Sequence, residues 1–129
     1  MGKRRARKTK GVSAATLAGD WRIVEMDLWG RKFMDMEVPA FVRLDKDGNG
    51  EFQFGLVSGS LDGRFLDREG KPAVEFSWEG QDELDPVAGR GWAMLEGDDR
   101  MVGRIYFHDG DDSGFVARRR KARPPSKRR

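Results

Sequence analysis

The stretch that decides the fold is residues 73–79, which read AVEFSWE. Its large apolar side chains, Val74, Phe76 and Trp78, occupy every second position, and polar side chains lie between them. Because successive side chains of a β-strand point to opposite faces, this period of two predicts a strand with one buried face. Such half-buried strands are typical of antiparallel sheets, whereas parallel strands are apolar on both faces.

Similar short segments extend along the chain in both directions, separated by turn-forming stretches such as DGNG at residues 47–50. The other predicted strands are residues 21–28, 40–44, 51–57, 60–66, 89–95, 101–108 and 114–118. Eight strands with short connections indicate an antiparallel meander. Because closure removes the exposed edge strands, we expect an all-β, eight-stranded antiparallel up-and-down barrel, with a two-sheet sandwich as the alternative.

The charged residues are unevenly distributed along the chain. Residues 1–10 contain six basic side chains, residues 118–129 contain eight, and neither segment contains an acid. All 22 acidic side chains therefore lie in residues 11–117, together with 11 basic ones. The net charge of +3 is thus the sum of terminal segments carrying +14 and a body carrying −11. Segments with so much charge and so little apolar surface are expected to be disordered.

This distribution predicts one domain, residues 13–118, between basic arms formed by residues 1–12 and 119–129. In an eight-stranded meander both chain ends lie at one end of the barrel. We therefore expect the arms at one pole and an acidic mouth at the other. The sequence has no cysteine, no apolar run that could span a membrane and no signal-peptide pattern, so we expect a cytoplasmic protein without a membrane partner.

The tripeptide Gly19-Asp20-Trp21, at the start of the first predicted strand, resembles the G-x-W signature of the lipocalins and the wider calycin barrels. The resemblance implies that Trp21 closes one end of the barrel and packs under an arginine from the last strand, which we match to Arg118. It also implies an interior that can hold a small ligand. The second lipocalin motif, the C-terminal helix and the disulfides of that family are missing from this sequence.

A second resemblance covers most of the predicted domain. Residues 76–85, FSWEGQDELD, and residues 89–93, GRGWA, are similar to a family of small uncharacterised bacterial proteins. This resemblance implies a bacterial origin and brings no activity with it.

The basic arms are the first candidate for function. Runs of Lys and Arg neutralise phosphates and release counterions, which gives salt-sensitive binding that does not depend on base sequence. The arms contain no aromatic residue for base stacking. We therefore expect non-specific association with nucleic acid or another polyanion, and the alternatives are arms that contact the acidic body or that only solubilise the protein. The proposed polyanion-binding residues are Lys3, Arg4, Arg5, Arg7, Lys8, Lys10, Arg119, Arg120, Lys121, Arg123, Lys127, Arg128 and Arg129.

A small ligand inside the barrel is the alternative function. Trp29, Phe33 and Met36, between the first two strands, have the spacing of one helical face, and they form either a lid over a cavity or a plug that completes the core. The predicted mouth further includes Glu79, Asp82, Glu83, His108 and Asp109. The spacing of these side chains matches no metal-ligand pattern, so we predict no metal.

Two further patterns bear on function. Residues 45–50 match the first half of an EF-hand calcium loop, but the twelfth position is Leu56, which has no carboxylate, so we predict a hairpin turn there. The sequence also lacks the nucleophile-elbow, P-loop, zinc-protease and dinucleotide-binding motifs. We therefore expect a protein that is not an enzyme and has no cofactor.

Overall fold

The computed structural model describes residues 16–120. This part of the chain contains a short helix, α1, at Arg31–Met34. Its eight strands are β1 Gly19–Met26, β2 Phe41–Leu44, β3 Gly50–Phe54, β4 Val57–Arg68, β5 Lys71–Asp82, β6 Asp85–Glu96, β7 Arg100–Phe107 and β8 Asp112–Arg119. No helix within residues 16–120 is long and apolar enough to cross a membrane.

The strands form one closed barrel in which each strand pairs antiparallel with its neighbour in sequence, and β8 pairs with β1. The predicted eight-stranded up-and-down barrel is confirmed. Strands β4, β5 and β6 have 12 residues each, several more than their predicted segments. The apolar alternation stops near Pro72, Gly80 and Pro86, but the backbone pairing continues to the hairpin turns, where Asp82 pairs with Asp85.

The barrel interior is filled by a single cluster of hydrophobic side chains. Its centre is a group of aromatic rings in mutual contact: the ring centroids of Phe52 and Trp78 lie 5.0 Å apart, and those of Trp78 and Phe107 lie 5.1 Å apart. Edge-to-face pairs of this kind add stabilisation beyond the burial of their surface. An eight-stranded barrel is just wide enough for such a filling of side chains.

Inward-facing glycines make room for other aromatic rings of the core. A Cβ atom on Gly91 would lie 2.5 Å from the ring of Phe76, and one on Gly103 would lie 2.8 Å from the ring of Phe115. Cβ atoms do not approach ring carbons so closely without displacing them. Part of the high glycine content therefore serves core packing, and not only the turns expected from the sequence.

The two ends of the described chain lie side by side at one end of the barrel, as predicted, because Trp21 of β1 is the direct partner of Arg119 of β8. The loops at the opposite end are acidic, as predicted, but carboxylates also occur in the turns beside the chain ends, since tight turns rich in Asp and Gly occur at both ends of a meander. The turns beside the chain ends carry Asp45, Asp47, Asp67, Glu69, Asp98 and Asp99. The loops at the opposite end carry Asp27, Asp35, Glu37, Asp82, Glu83, Asp85, Asp109, Asp111 and Asp112.

Residues 45–50 form the hairpin turn predicted from their sequence. The Asp45 carboxylate accepts hydrogen bonds from the backbone N–H groups of Asp47 at 2.8 Å and Asn49 at 3.1 Å. One carboxylate oxygen therefore closes the turn that joins β2 to β3, as is common for Asp at such positions.

Candidate functional site

Trp21 closes the end of the barrel at which the chain ends meet. Its side chain is fully buried, and the indole N–H donates a hydrogen bond to the carbonyl oxygen of Leu17 at 2.9 Å. The guanidinium carbon of Arg119 lies 4.3 Å from the centroid of the Trp21 ring. The same guanidinium donates to the carbonyl oxygens of Thr16 at 2.6 Å and Ala18 at 3.3 Å. Arg119 thus covers the tryptophan and fixes the segment that leads into β1.

The prediction that Arg118 covers Trp21 is wrong by one residue. Side chains alternate along β8, and the pairing with β1 places Arg119 over Trp21 and Arg118 on the outer face opposite Arg22. There the Arg118 guanidinium lies 3.4 Å from the carboxylate of Asp99. Arg119 belongs to the barrel, and its guanidinium N–H groups already donate hydrogen bonds to backbone carbonyl oxygens. It is therefore not one of the residues that we propose to bind a polyanion.

Gly19, the first residue of the G-x-W pattern, has a structural role. It begins β1 with φ = +126°, a backbone conformation that glycine adopts readily and other residues do not. A Cβ at this position would meet no atom closer than 3.7 Å, so the requirement is conformational and does not come from lack of space.

Most of the predicted polyanion-binding residues lie outside the described residues: Lys3, Arg4, Arg5, Arg7, Lys8, Lys10, Lys121, Arg123, Lys127, Arg128 and Arg129. Arg120 is described, and its side chain is exposed. Its backbone N–H donates to the carbonyl oxygen of Asp20 at 2.9 Å. The pairing of the two chain ends therefore persists to the last described residue.

The segment between β1 and β2 closes the opposite end of the barrel. The Trp29 ring lies 5.1 Å from Phe54, 6.0 Å from Phe33 and 6.3 Å from Phe107. Trp29 and Phe33 are half-buried against the core, which is the plug arrangement. Met36 is 53% exposed and takes no part in that packing.

Asp35 fastens this plug to the barrel. Its carboxylate accepts a hydrogen bond from the Ala40 N–H at 2.9 Å and another from the Arg22 guanidinium at 3.1 Å. The Ala40 N–H, and then Arg22, hold the pKa of Asp35 below its usual value against the opposing effect of burial. Asp35 therefore stays ionised in the folded protein at a pH where a free carboxyl would be partly protonated.

Asp35→Asn should lower the free energy of unfolding at pH 7 by about 1.5 kcal/mol, because it weakens two hydrogen bonds to a charged acceptor. A carboxyl whose pKa is lowered by folding stabilises the fold above its unfolded pKa, and this contribution is lost as the pH falls through the folded pKa. The difference between the parent and the variant in urea denaturation should therefore shrink in acid. Asp111→Asn, an exposed control, should change stability by less than about 0.5 kcal/mol, and a difference independent of pH would contradict the assignment.

The predicted mouth residues are not brought together. Glu79 lies on the outside of β5 between Ser60 and Ala88, whereas Asp82 and Glu83 lie at the β5–β6 turn. The imidazole of His108 is 3.4 Å from the carboxylate of Asp109, and both side chains are exposed.

Within residues 16–120 no group of three or more His, Cys, Asp or Glu side chains is arranged to hold a metal ion. The side chains that point into the barrel form one hydrophobic cluster, which includes Phe52, Phe54 and Trp78.

A groove that the sequence did not reveal lies on the outer face of β4 to β7. Its volume is about 590 Å³, and its lining includes Arg64, Arg68, Arg90, Trp92 and Tyr106. The guanidinium carbon of Arg68 lies 4.9 Å from the centroid of the Trp92 ring, and that of Arg90 lies 5.4 Å from the Tyr106 ring. These residues come from three different strands. The sequence could therefore show only that each side chain points outward from its own strand, and not that they lie together.

Comparisons of the chain with protein-family models, with curated proteins and with solved structures found no match.

Proposed function

We propose that the protein binds nucleic acid or another polyanion through its two basic terminal segments. The observation that carries the proposal is the pairing of β1 with β8, which brings the two chain ends to neighbouring positions. The described chain therefore begins, at residue 16, and ends, at residue 120, at the same end of the barrel. Residues 1–10 and 121–129, which precede and follow it in sequence, carry basic side chains and no acid, and we expect them to act together as one source of positive charge.

The expected binding is electrostatic. Each phosphate neutralised by a Lys or Arg side chain releases condensed counterions, so the affinity falls steeply with salt. If about half of the terminal basic side chains beyond Arg119 and in residues 1–10 engage phosphates, a plot of log affinity against log salt should have a slope of roughly −5.

The acidic body favours contact through the terminal segments over contact with the barrel as a whole. The carboxylates of Asp98 and Asp99 lie beside the chain ends, where they offset the positive charges of Arg118 and Arg119. Arg118 and Arg119 are already engaged there, since Arg118 pairs with Asp99 and the Arg119 Nε donates to the Asp98 carbonyl oxygen at 3.2 Å. The basic residues beyond Arg119 therefore form the proposed contact.

The contact between Trp21 and Arg119 supports a proposed kinship with the calycin barrels, because an arginine from the last strand covers the tryptophan of the first. This kinship concerns the fold and carries no ligand with it. The cytoplasmic location and the bacterial origin stay predictions.

The test replaces every Lys and Arg in residues 1–10 and 120–129 by Gln, which keeps the chain length and leaves Arg119 on Trp21. Retention on heparin and on DNA columns should be lost. The matched control carries the same terminal residues in shuffled order, and it should elute at the salt concentration of the parent protein. Unchanged retention of the Gln variant would reject the proposed function.

A further inference from the structure

The groove on the outer face of β4 to β7 contains arginines without acidic partners. Arg64, Arg68 and Arg90 form none of the ion pairs found within residues 16–120. By contrast Arg43 pairs with Asp20 and Glu51, and Arg104 pairs with Asp27 and Asp112. Glu75 is the cross-strand neighbour of Arg64, but no described carboxylate lies within ion-pair distance of the three arginines, so their guanidinium groups keep free donors for an anionic ligand.

Two of these arginines lie against aromatic rings. Arg68 lies over Trp92 and Arg90 over Tyr106, and both rings are half-buried on the outside of the barrel. Held in this way, the guanidinium groups lose less conformational freedom when they bind an anion. Aromatic rings and guanidinium planes are also the surfaces on which unpaired bases stack.

We propose that this groove binds a segment of single-stranded nucleic acid, an inference that rests on the proposed function and names its preferred ligand. The arginines contact the phosphates, and bases stack on the planar groups of Trp92, Tyr106 and their arginines. The terminal segments lack aromatic residues and bind any polyanion, so the groove provides the base contacts that they do not.

The acidic residues of the groove distinguish this ligand from other polyanions. Asp62 and Glu75 also line it, with Ser77 directly paired to both Asp62 and Arg90. A uniformly anionic polymer such as heparin gains nothing from these carboxylates, whereas they can accept hydrogen bonds from the exocyclic amino groups of exposed bases. In a duplex those bases are stacked on one another and their faces are not available to the groove.

The position of the groove connects it to the terminal segments. Arg68 is the last residue of β4, and β4 ends at the pole where β1 begins and β8 ends. The groove has a volume of about 590 Å³ and is open to solvent along the outer face of the sheet. One end of the groove therefore lies at the same pole as the two ends of the described chain.

The test uses the full chain and compares Arg64→Ala/Arg90→Ala with Lys32→Ala/Lys46→Ala. Both double variants remove two positive charges, and neither lysine lines the groove. Fluorescence anisotropy measures binding of a labelled 12-nucleotide single strand of mixed sequence, its 12-base-pair duplex and labelled heparin. The Arg64→Ala/Arg90→Ala variant should bind the single strand about ten-fold more weakly than the lysine variant, because it loses contacts to about one base and its phosphate. The two double variants should bind heparin and the duplex with equal affinity.

The outcomes separate the two proposals. Equal single-strand affinities of the two double variants would overturn the groove inference and leave the role of the terminal segments intact. Heparin retention that survives neutralisation of those segments would instead reject the proposed function. Trp92→Leu gives a second reading that alters no charge, and it should weaken single-strand binding by about ten-fold while heparin binding is unchanged.

Discussion

Trp21→Ala should lower the free energy of unfolding by about 3–5 kcal/mol. The indole is fully buried at the closed end of the barrel, and its removal leaves a cavity that the surrounding strands cannot fill. The substitution also removes the hydrogen bond to the Leu17 carbonyl and the ring on which Arg119 lies. Urea denaturation followed by circular dichroism gives the difference directly.

Trp92→Ala is the matched control for this prediction. It deletes the same side chain from the outer face, where the ring is only half-buried and its specific partner is Arg68. The loss there should be about 1 kcal/mol, the size of a cation–π contact at an exposed site. Equal losses for the two tryptophans would show that Trp21 does not have the structural role assigned to it.

Gly89→Ala should lower the free energy of unfolding by about 3 kcal/mol, at the upper end of the usual cost of overpacking. A Cβ at this position would lie 1.7 Å from the Tyr106 carbonyl oxygen and 3.0 Å from the Trp78 indole nitrogen. Those two atoms form a hydrogen bond of 3.3 Å, so the added methyl group would push β6 away from β7 and displace a core ring. The same denaturation experiment measures the effect.

Gly30→Ala controls for the glycine substitution itself. Gly30 precedes α1 with φ = −83°, which any residue can adopt, and a Cβ there would meet no atom within 4 Å. Its replacement should change stability by less than about 0.5 kcal/mol. Comparable losses at Gly30 and Gly89 would contradict the packing explanation.

The barrel could be predicted because its determinants are local. The alternation around Trp78 identifies a half-buried strand, and repeating it along the chain with short connections leaves few topologies other than a closed meander. The lengths of β4 to β6 could not be predicted in the same way. Between Gly80 and Pro86 the chain forms the exposed hairpin end of β5 and β6. Backbone pairing continues there without a buried face that would impose an apolar pattern.

The candidate sites depend on cross-strand contacts, which a single sequence does not display. The choice between Arg118 and Arg119 is decided by the register of β8 against β1, and an error of one residue reverses the face of the sheet. The groove was missed for the same reason. Arg68 and Trp92 are separated by the whole of β5 in sequence, and their contact exists only because β4, β5 and β6 lie side by side.

The hydrogen bond between Arg120 and Asp20 has a consequence for how tightly the proposed polyanion would be held. Cross-strand neighbours lie about 5 Å apart, so the described chain ends close to where its first strand begins. If one terminal segment attaches to the polymer, the other is confined near it at an effective concentration on the order of millimolar. The two segments would then bind bivalently. A fragment too short to touch both segments gains no such avidity and dissociates as from a single one.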